Sequence, residues 1–239
     1  MRYELYYWPS IQGRGEFVRL ALEAGGTDYV DVARLSGRGK GVDAMLRMMD
    51  SGDRPPFAPP FLRAGKLVIA QVANILHYLG PRIGLAPKAE AARLWVHQLQ
   101  LTVTDFVSEI HDTHHPIAAS LYYDEQRREA RERTRFFVSE RLPKYLGYFE
   151  GIIEDNVNGR GYMAGRSLSY VDLSMFQLIA GLRYAFPVAM ARRKRHYPRL
   201  IALHDKVAER PEISVYLSSA RRIDFNEDGV FRDYPELEK

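Results

Sequence analysis

Two consecutive prolines stand directly before a short apolar stretch in the segment APPFLRAGKLVIAQVANIL, residues 58–76. Proline has no backbone N–H and a fixed φ, so it does not fit a central strand. X-Pro bonds are also the ones that can be cis, and a cis bond before Pro60 would turn neighbouring backbone groups outward to pair with a peptide-like ligand. The alternative is an edge strand that merely tolerates proline. The stretch alone leaves both interpretations open.

The first 80 residues alternate strand-like and helix-like segments. In order they predict a strand over 3–8, a helix over 15–26, a strand over 28–34, a helix over 42–49, two strands within 60–70 and a helix over 71–80. The order β-α-β-α-β-β-α indicates a small mixed sheet with helices packed against it.

After residue 88 the strand pattern disappears, and apolar residues recur at intervals of three and four. The predicted helices lie over 91–110, 127–153, 170–183, 199–209 and 212–221. Ser169 and Asp172 form a capping-box pattern before one of them. We therefore predict a first domain over 1–80, a linker over 81–87, an all-helical domain over 88–221 and a tail over 222–239.

The chain contains no cysteine, which excludes disulfides, thiolate metal sites and a cysteine nucleophile. Any thiol chemistry must use the thiol of a substrate or cofactor. The N-terminal residues lack a leader pattern, and no apolar run approaches the ~20 residues that span a bilayer. We expect a cytoplasmic protein with no membrane partner.

Basic residues concentrate in two runs, QRREARERTR (126–135) and RRKRHYPR (192–199). The first interleaves Glu with Arg and is typical of a solvated, salt-bridged helix face. The second is either a phosphate-binding patch or a cluster of cations at a helix carboxyl end. No aromatic-basic repeat accompanies them, so we expect no nucleic-acid partner. His111 and His115 share a helix face, but no third ligand follows at a motif spacing, and no metal site is predicted.

Together, the strand and helix order, the proline before the third strand, QVANILHYL at the third helix and the helical second half resemble the cytosolic glutathione transferases. The start, YYWPSIQGRGEFVRLAL, is similar to the tyrosine-type mu, pi and sigma classes. The resemblance covers essentially the whole chain. It implies an α+β thioredoxin-like domain followed by an all-α helical bundle, glutathione as co-substrate, a homodimer, and transfer of the thiolate to an apolar electrophile without a metal.

The resemblance makes Tyr7 the donor of a hydrogen bond to the glutathione sulfur. A cysteine-type thiol has a pKa of about 8.5, and a donor to the sulfur lowers it. Tyr7 is predicted to end the first strand, directly before Trp8, and strand alternation points Tyr6 to the opposite face. Without the resemblance, Tyr7 could equally be a core aromatic. Ser10 is the alternative donor, although it could simply be a turn hydroxyl.

Other roles also follow from the resemblance. Gln71 and Val72 match the pair that holds the γ-glutamyl end, but valine stands where the family has serine. Arg14 would lie beneath the tyrosine, in a loop one residue longer than the mu and pi pattern. The remaining candidates are Trp8, Pro59 and Pro60 for glutathione, Arg47 or Arg54 for its glycyl carboxylate, Asp105 for the glutathione of a partner subunit, and Ser10, His111, His115 and Tyr122 for the second-substrate pocket.

Two other functions remain open. Val72 and the lengthened loop favour a ligand-binding or regulatory module that kept the architecture without turnover. A glutathione-dependent lyase, isomerase or peroxidase would use the same site on a different second substrate. The sequence does not identify the acceptor, because fold does not fix function.

Overall fold

The computed structural model describes residues 2–238, and its strands all lie in the first third of the chain. They are β1 (Tyr3–Tyr6), β2 (Tyr29–Asp31), β3 (Phe61–Ala64) and β4 (Leu67–Ala70). The strand order in the sheet is β2-β1-β3-β4, with β1 parallel to β2 and antiparallel to β3, and β3 antiparallel to β4. This is the predicted mixed sheet.

The helices of residues 2–238 alternate with the strands at first and then follow one another without interruption by a strand. They are α1 (Gly15–Ala24), α2 (Gly41–Met49), α3 (Val72–Leu79), α4 (Glu90–His111), α5 (Arg127–Phe136), α6 (Leu142–Asp155), α7 (Tyr170–Ala185), α8 (Pro187–Arg193), α9 (Pro198–Ala208) and α10 (Pro211–Leu217). The predicted fold class, a thioredoxin-like α+β part followed by an all-α part, is confirmed. The sequence patterns missed α8, and they predicted α5 and α6 as one helix, where the structure has a π-helical turn over Phe137–Arg141.

The first two strands are shorter than predicted. The strand predicted over 3–8 ends at Tyr6, which pairs with Phe61. The next partner along would be Pro60, which has no N–H to donate, so the ladder stops there. The second strand ends at Asp31, because the chain then tightens into a 3₁₀ turn that buries Val32.

The sheet separates two cores. On one face, Leu5 and its cross-strand partner Leu62 pack against α1 and α3. On the other face, Tyr6 and Phe61 stack with ring centroids 4.7 Å apart and pack with Met45 of α2. Alternation along β1 therefore places Tyr6 on the α2 face, opposite to Leu5.

A third and larger core joins the sheet half to the helical half. Phe17 of α1 and Leu76 of α3 share this cluster with Val103 of α4 and with residues of α7. The seam between the halves is therefore packed, and a cavity in it has rigid walls. Within residues 2–238, no single helix is long and apolar enough to cross a membrane. One bent pair, Tyr170–Ala185 with Pro187–His196, passes that test by length and composition only.

The tail that the sequence predicts over 222–239 packs, in its described residues, against α7 and the loop after β1. Phe231 is buried against Gly181 of α7, where an added Cβ would lie 2.4 Å from the Phe231 ring. Asn226 Nδ2 donates to the Ser10 carbonyl at 2.9 Å, and Tyr234 stacks on Tyr123 with ring centroids 3.8 Å apart. The tail thus runs from the loop after β1 to the segment between α4 and α5.

The predicted capping box is present at the start of α7. Both the Ser169 backbone N–H and its hydroxyl donate to Asp172 Oδ2, each at 2.7 Å, and the Met163 N–H donates to Oδ1 at 2.8 Å. Burial raises the pKa of Asp172 to about 6, while these donors oppose the shift. The carboxylate is therefore ionised at neutral pH and accepts three hydrogen bonds.

Replacing Asp172 by alanine is expected to lower the free energy of unfolding by about 2–4 kcal/mol, because two buried backbone N–H groups lose their acceptor and the helix loses its cap. Urea denaturation followed by circular dichroism measures the change. Ser167→Ala, at an exposed neighbouring position, is the control and should shift stability by less than about 0.5 kcal/mol. Equal effects in the two variants would contradict a structural role for the box.

Candidate functional site

A cavity of about 250 Å³ opens between the sheet half and α4. Its lining consists of Arg14, Phe17, Ala58, Pro59, Pro60, Gln71, Val72, Gln100, Val103, Thr104 and Val107. Five of these are predicted site residues: Arg14, Pro59, Pro60, Gln71 and Val72. The structure therefore brings together residues from three separate stretches of sequence at one seam.

The prolines and the start of α3 form one wall of this cavity. The Pro59–Pro60 peptide bond is cis, one of the two possibilities that the sequence left open, and β3 follows it directly. Gln71, at the N-terminus of α3, has φ 68° and ψ 122°, a backbone conformation that non-glycine residues rarely adopt. Residues held in such conformations cluster at ligand sites. The first N–H groups of α3 have no acceptor within the helix, and the helix dipole adds positive potential there. The wall is suited to a carboxylate.

An unpaired donor lies on the opposite wall. Gln100 of α4 is fully buried; its Oε1 accepts a hydrogen bond from Ser174 at 2.7 Å, but its Nε2 has no partner within residues 2–238. An unsatisfied buried amide is costly, by about 1–3 kcal/mol, unless a ligand or water pairs with it. Gln100 is among the residues that line the cavity, and its unpaired N–H₂ group is shielded from solvent. Sequence reasoning missed Gln100, whose amide looks like any other in a helix.

Tyr7 lies directly behind the cavity wall rather than in its lining. It follows β1, its side chain is 5% exposed, and its hydroxyl oxygen accepts the Arg14 N–H at 2.9 Å. Within residues 2–238, the Tyr7 hydroxyl has no acceptor for its own proton. Burial raises the pKa of Tyr7, although the Arg14 N–H and the Arg14 and Arg19 charges oppose the shift. The phenol therefore stays protonated at neutral pH and has one hydrogen-bond donor to offer.

Two glycines on either side of Arg14 allow its backbone N–H to approach the Tyr7 hydroxyl. A Cβ on Gly13, whose φ is +43°, would lie 2.1 Å from the Tyr7 hydroxyl oxygen, and one on Gly15 would lie 2.4 Å from the ring. Any side chain at either position would displace the tyrosine. Sequence reasoning assigned Gly13 and Gly15 no role, although the GRG spacing at 13–15 was a signal available for it.

The loop that carries these glycines is fixed from the far end of the chain. Gln12 is buried, its Oε1 accepts from Gln177 Nε2 at 2.7 Å, and its Nε2 donates to the Ile223 carbonyl. Gln177 Oε1 in turn accepts from Arg222 at 3.0 Å. The tail therefore holds the segment whose next residues surround the Tyr7 hydroxyl.

Several predicted residues lie outside the cavity lining. Trp8 is 39% exposed, Ser10 is exposed, and Arg47 and Arg54 are exposed on and after α2. Asp105 is exposed on α4, next to Thr104, and has no hydrogen-bond partner within residues 2–238. The sequence could name these residues, but their distance from the cavity depends on how the helices pack.

The histidines after Val107 form a stacked cluster. His111 stacks on His115 with centroids 4.8 Å apart, and His114 Nε2 lies 2.9 Å from the Val230 carbonyl of the tail. Burial, the largest cause, lowers the pKa of all three, to about 2 for His114 and about 4 for His115. The cluster is therefore neutral at pH 7. Within residues 2–238, no group of three or more His, Cys, Asp or Glu side chains could hold a metal ion. Tyr122, 80% exposed, lies on the surface beyond it.

The sequence of this chain is similar to those of proteins described as glutathione S-transferases. Residues 111–220 match the family model described as the C-terminal domain of glutathione S-transferase. A glutathione S-transferase of Plasmodium falciparum (isolate 3D7) is 24% identical over 221 residues, covering 91% of this chain and 95% of the relative. Glutathione S-transferase P 1 of Xenopus laevis is 26% identical over 221 residues, covering 92% and 93%.

Solved structures share the fold over nearly the full length. Prostaglandin synthase D of Nilaparvata lugens aligns with a TM-score of 0.71 at 22% identity, covering 92% of this chain and 98% of that one. The pi-class glutathione S-transferase of Onchocerca volvulus aligns with a TM-score of 0.68 at 23% identity, covering 96% and 99%. These likenesses establish the architecture, from the four-stranded sheet to the helical half.

Proposed function

Because this chain belongs to the glutathione S-transferase family, we propose that it transfers the thiolate of glutathione to an electrophilic carbon of an apolar acceptor, with Tyr7 stabilising the thiolate. The observation that carries the assignment of Tyr7 is its buried hydroxyl, which accepts the Arg14 N–H and keeps its own proton free for an acceptor. A thiolate sulfur at the cavity wall would be that acceptor.

The chemistry follows from the charge on the sulfur. A thiol with a pKa of about 8.5 is only a few per cent ionised at pH 7. A donated O–H bond stabilises the anion and not the neutral thiol, so it lowers the pKa. The Arg14 N–H polarises the phenol from behind, and the Arg14 charge at the cavity wall adds to the stabilisation. The thiolate then forms a carbon–sulfur bond, and the leaving group departs with its electron pair.

Glutathione would lie along the wall formed by the prolines and α3. We place its peptide backbone against Pro59 and Pro60 and its γ-glutamyl carboxylate at the start of α3, near Gln71 and Val72. The unpaired Gln100 Nε2 supplies a further donor from α4. For the glycyl carboxylate, Arg47 and Arg54 remain the candidate cations, and Trp8 remains a candidate glutathione contact; none of these three lines the cavity.

Replacing Val72 by serine is expected to tighten glutathione binding by about three- to tenfold, because the new hydroxyl adds one hydrogen bond to a charged carboxylate beside the helix start. Titration calorimetry with glutathione measures the change in Kd. Val72→Thr, which adds the same hydroxyl and keeps the branched shape, serves as the matched variant. Unchanged affinity in both would mean that the γ-glutamyl end does not bind at this helix.

The acceptor would enter from the α4 side of the cavity. Val103 and Val107 give that side an apolar surface, and the neutral histidine cluster that begins at His111 continues it. We retain His115 and Ser10 as second-substrate candidates because both lie near the tail that closes this region: Ser10 accepts from Asn226, and the stacked histidines contact Val230. Tyr122, on the surface, could contact only the outer part of a large acceptor.

We further propose a homodimer in which Asp105 reaches the glutathione of the partner subunit. Asp105 is exposed on α4, and the same helix exposes Leu94 and Leu101, which lie on the Asp105 face because the spacings are seven and four residues. Phe57, beside the cavity, is 93% exposed. A second copy would cover these apolar side chains.

The test combines binding with turnover. Ultraviolet difference absorbance of bound glutathione reports the thiolate at neutral pH, and an aryl chloride activated by nitro groups reports conjugation. A thiolate band with conjugation supports the proposal. A thiolate band without conjugation to several electrophiles would favour a lyase, isomerase or peroxidase, binding without a thiolate would favour a non-catalytic module, and absence of glutathione binding would refute both.

A further inference from the structure

A second and larger cavity lies in the helical half and shares no lining residue with the glutathione cavity. It is a groove of about 670 Å³ between α5 with the π-helical turn that follows it, α8 and the end of the tail. Its lining consists of Arg128, Arg131, Glu132, Arg135, Val138, Ser139, Val188, Ala189, Arg192, Arg193, Glu236, Leu237 and Glu238. The lining contains five arginines and three glutamates. We call it the arginine groove.

The arginine groove joins the two basic runs that the sequence shows about 60 residues apart. Arg128, Arg131 and Arg135 follow the spacing i, i+3, i+7 and so share one face of α5. Arg192 and Arg193 end α8 on the other side. Two runs that appear unrelated along the chain therefore form opposite walls of one concave site.

The five arginines of the groove form no salt bridge within residues 2–238. The sequence predicted a solvated, salt-bridged face for 126–135, and the run does form ion pairs, but no carboxylate of residues 2–238 lies within 4.0 Å of the five guanidinium groups of the groove. The run's ion pairs are made outside the groove, by Arg127 with Asp124 and by Arg133 with acids of the α4 end. Local pairs on a helix contribute only about 0.2–0.5 kcal/mol, so tertiary packing overrides them.

One end of the groove already holds carboxylates of this chain. Glu238 accepts hydrogen bonds from the Val188 and Ala189 N–H groups, at 3.0 and 2.7 Å, where α8 begins. Glu236 accepts the Tyr123 hydroxyl at 3.0 Å. The tail thus places two negative charges at one end of the groove. Of the arginines, Arg193 donates to the Val138 carbonyl at 2.7 Å and Arg135 lies over the Phe136 ring, while the other three are exposed.

We propose that the arginine groove binds a small anion with several phosphate groups, and that the ligand competes with Glu236 and Glu238 for the groove. Planar guanidinium groups pair with phosphate through two parallel hydrogen bonds, and several arginines without a carboxylate partner around one concavity match several phosphates. The volume is that of a small-molecule site. Within the described residues the lining has no aromatic side chain on which bases could stack, which disfavours single-stranded nucleic acid.

The test uses inorganic tripolyphosphate as the probe, with titration calorimetry on the full chain at low salt. We expect saturable binding at one site, weakened about tenfold or more by R131Q/R192Q, because each lost guanidinium removes a charge-assisted contact. E236Q/E238Q should tighten binding by about three- to tenfold, because it removes the competing charges. R2Q/R166Q removes two exposed arginines elsewhere and is the charge-matched control.

Three results would overturn the proposal. They are no saturable binding of tripolyphosphate, an equal loss of binding in R131Q/R192Q and R2Q/R166Q, and tighter binding of an unstructured oligonucleotide than of tripolyphosphate at the groove. Circular dichroism of each variant shows whether it is folded, and the substituted side chains are exposed arginines and tail glutamates outside the buried core. The assay does not use glutathione, so its outcome is independent of the proposed transferase activity.

Discussion

Tyr7→Phe is expected to raise the pKa of the bound glutathione thiol by about one to two units and to lower kcat/KM for conjugation at pH 7 by about 10- to 100-fold. The variant removes one hydrogen bond to a charged sulfur, a contact that contributes about 1.5–3 kcal/mol, and each 1.36 kcal/mol corresponds to one pKa unit. The ring and its packing against Gly15 remain, so the fold is preserved. The thiolate absorbance band measured against pH gives the pKa directly.

Two variants separate Tyr7 from its neighbours. Tyr6→Phe removes a hydroxyl that donates to Glu4 at 2.7 Å on the α2 side of the sheet, and it should leave the thiol pKa unchanged. Ser10→Ala should also leave it unchanged. A thiolate band that survives in Tyr7→Phe and disappears in Ser10→Ala would transfer the role to the serine.

Glu16→Ala is expected to lower the free energy of unfolding by about 3–5 kcal/mol, because it removes the buried carboxylate that pairs with both Arg19 and Arg222. Glu16 is fully buried in α1. Its carboxylate accepts the Tyr216 hydroxyl at 2.6 Å, lies 3.3 Å from the guanidinium of buried Arg19, and also pairs with Arg222. Arg19 in turn donates to Asp31 at 2.7 Å. The pair network therefore links α1, β2, α10 and the tail.

The matched control is another glutamate–arginine pair of this chain. Glu154 pairs with Arg199 at 2.7 Å, but its side chain is 59% exposed. Glu154→Ala should cost less than about 1 kcal/mol, because exposed pairs are screened by solvent. Urea denaturation of both variants gives the comparison, and similar losses would show that burial of Glu16 does not decide its contribution. Because Arg222 also bonds to Gln177, and Gln177 to Gln12, Glu16→Ala should in addition loosen the loop around Tyr7.

The sequence predicted most of what depends on near neighbours along the chain. Hydrophobic periodicity indicated the strand and helix order, and the residue pattern before α7 indicated its capping box. The absence of cysteine from the sequence excludes a thiol of the protein itself, whatever the fold. Each of these inferences depends on a few consecutive residues or on composition.

What only the tertiary structure decided depends on residues far apart in the chain. β1 ends at Tyr6 because its partner strand begins after Pro60. Gln12 meets Gln177 across 165 positions, and this contact helps to hold the loop around Tyr7. Arginines of the two basic runs line the arginine groove together, although the runs lie about 60 residues apart in the chain. The physical reason is the same in each case: local patterns fix backbone conformation over one or two turns, whereas packing of the whole chain decides which side chains lose water and which remain unpaired.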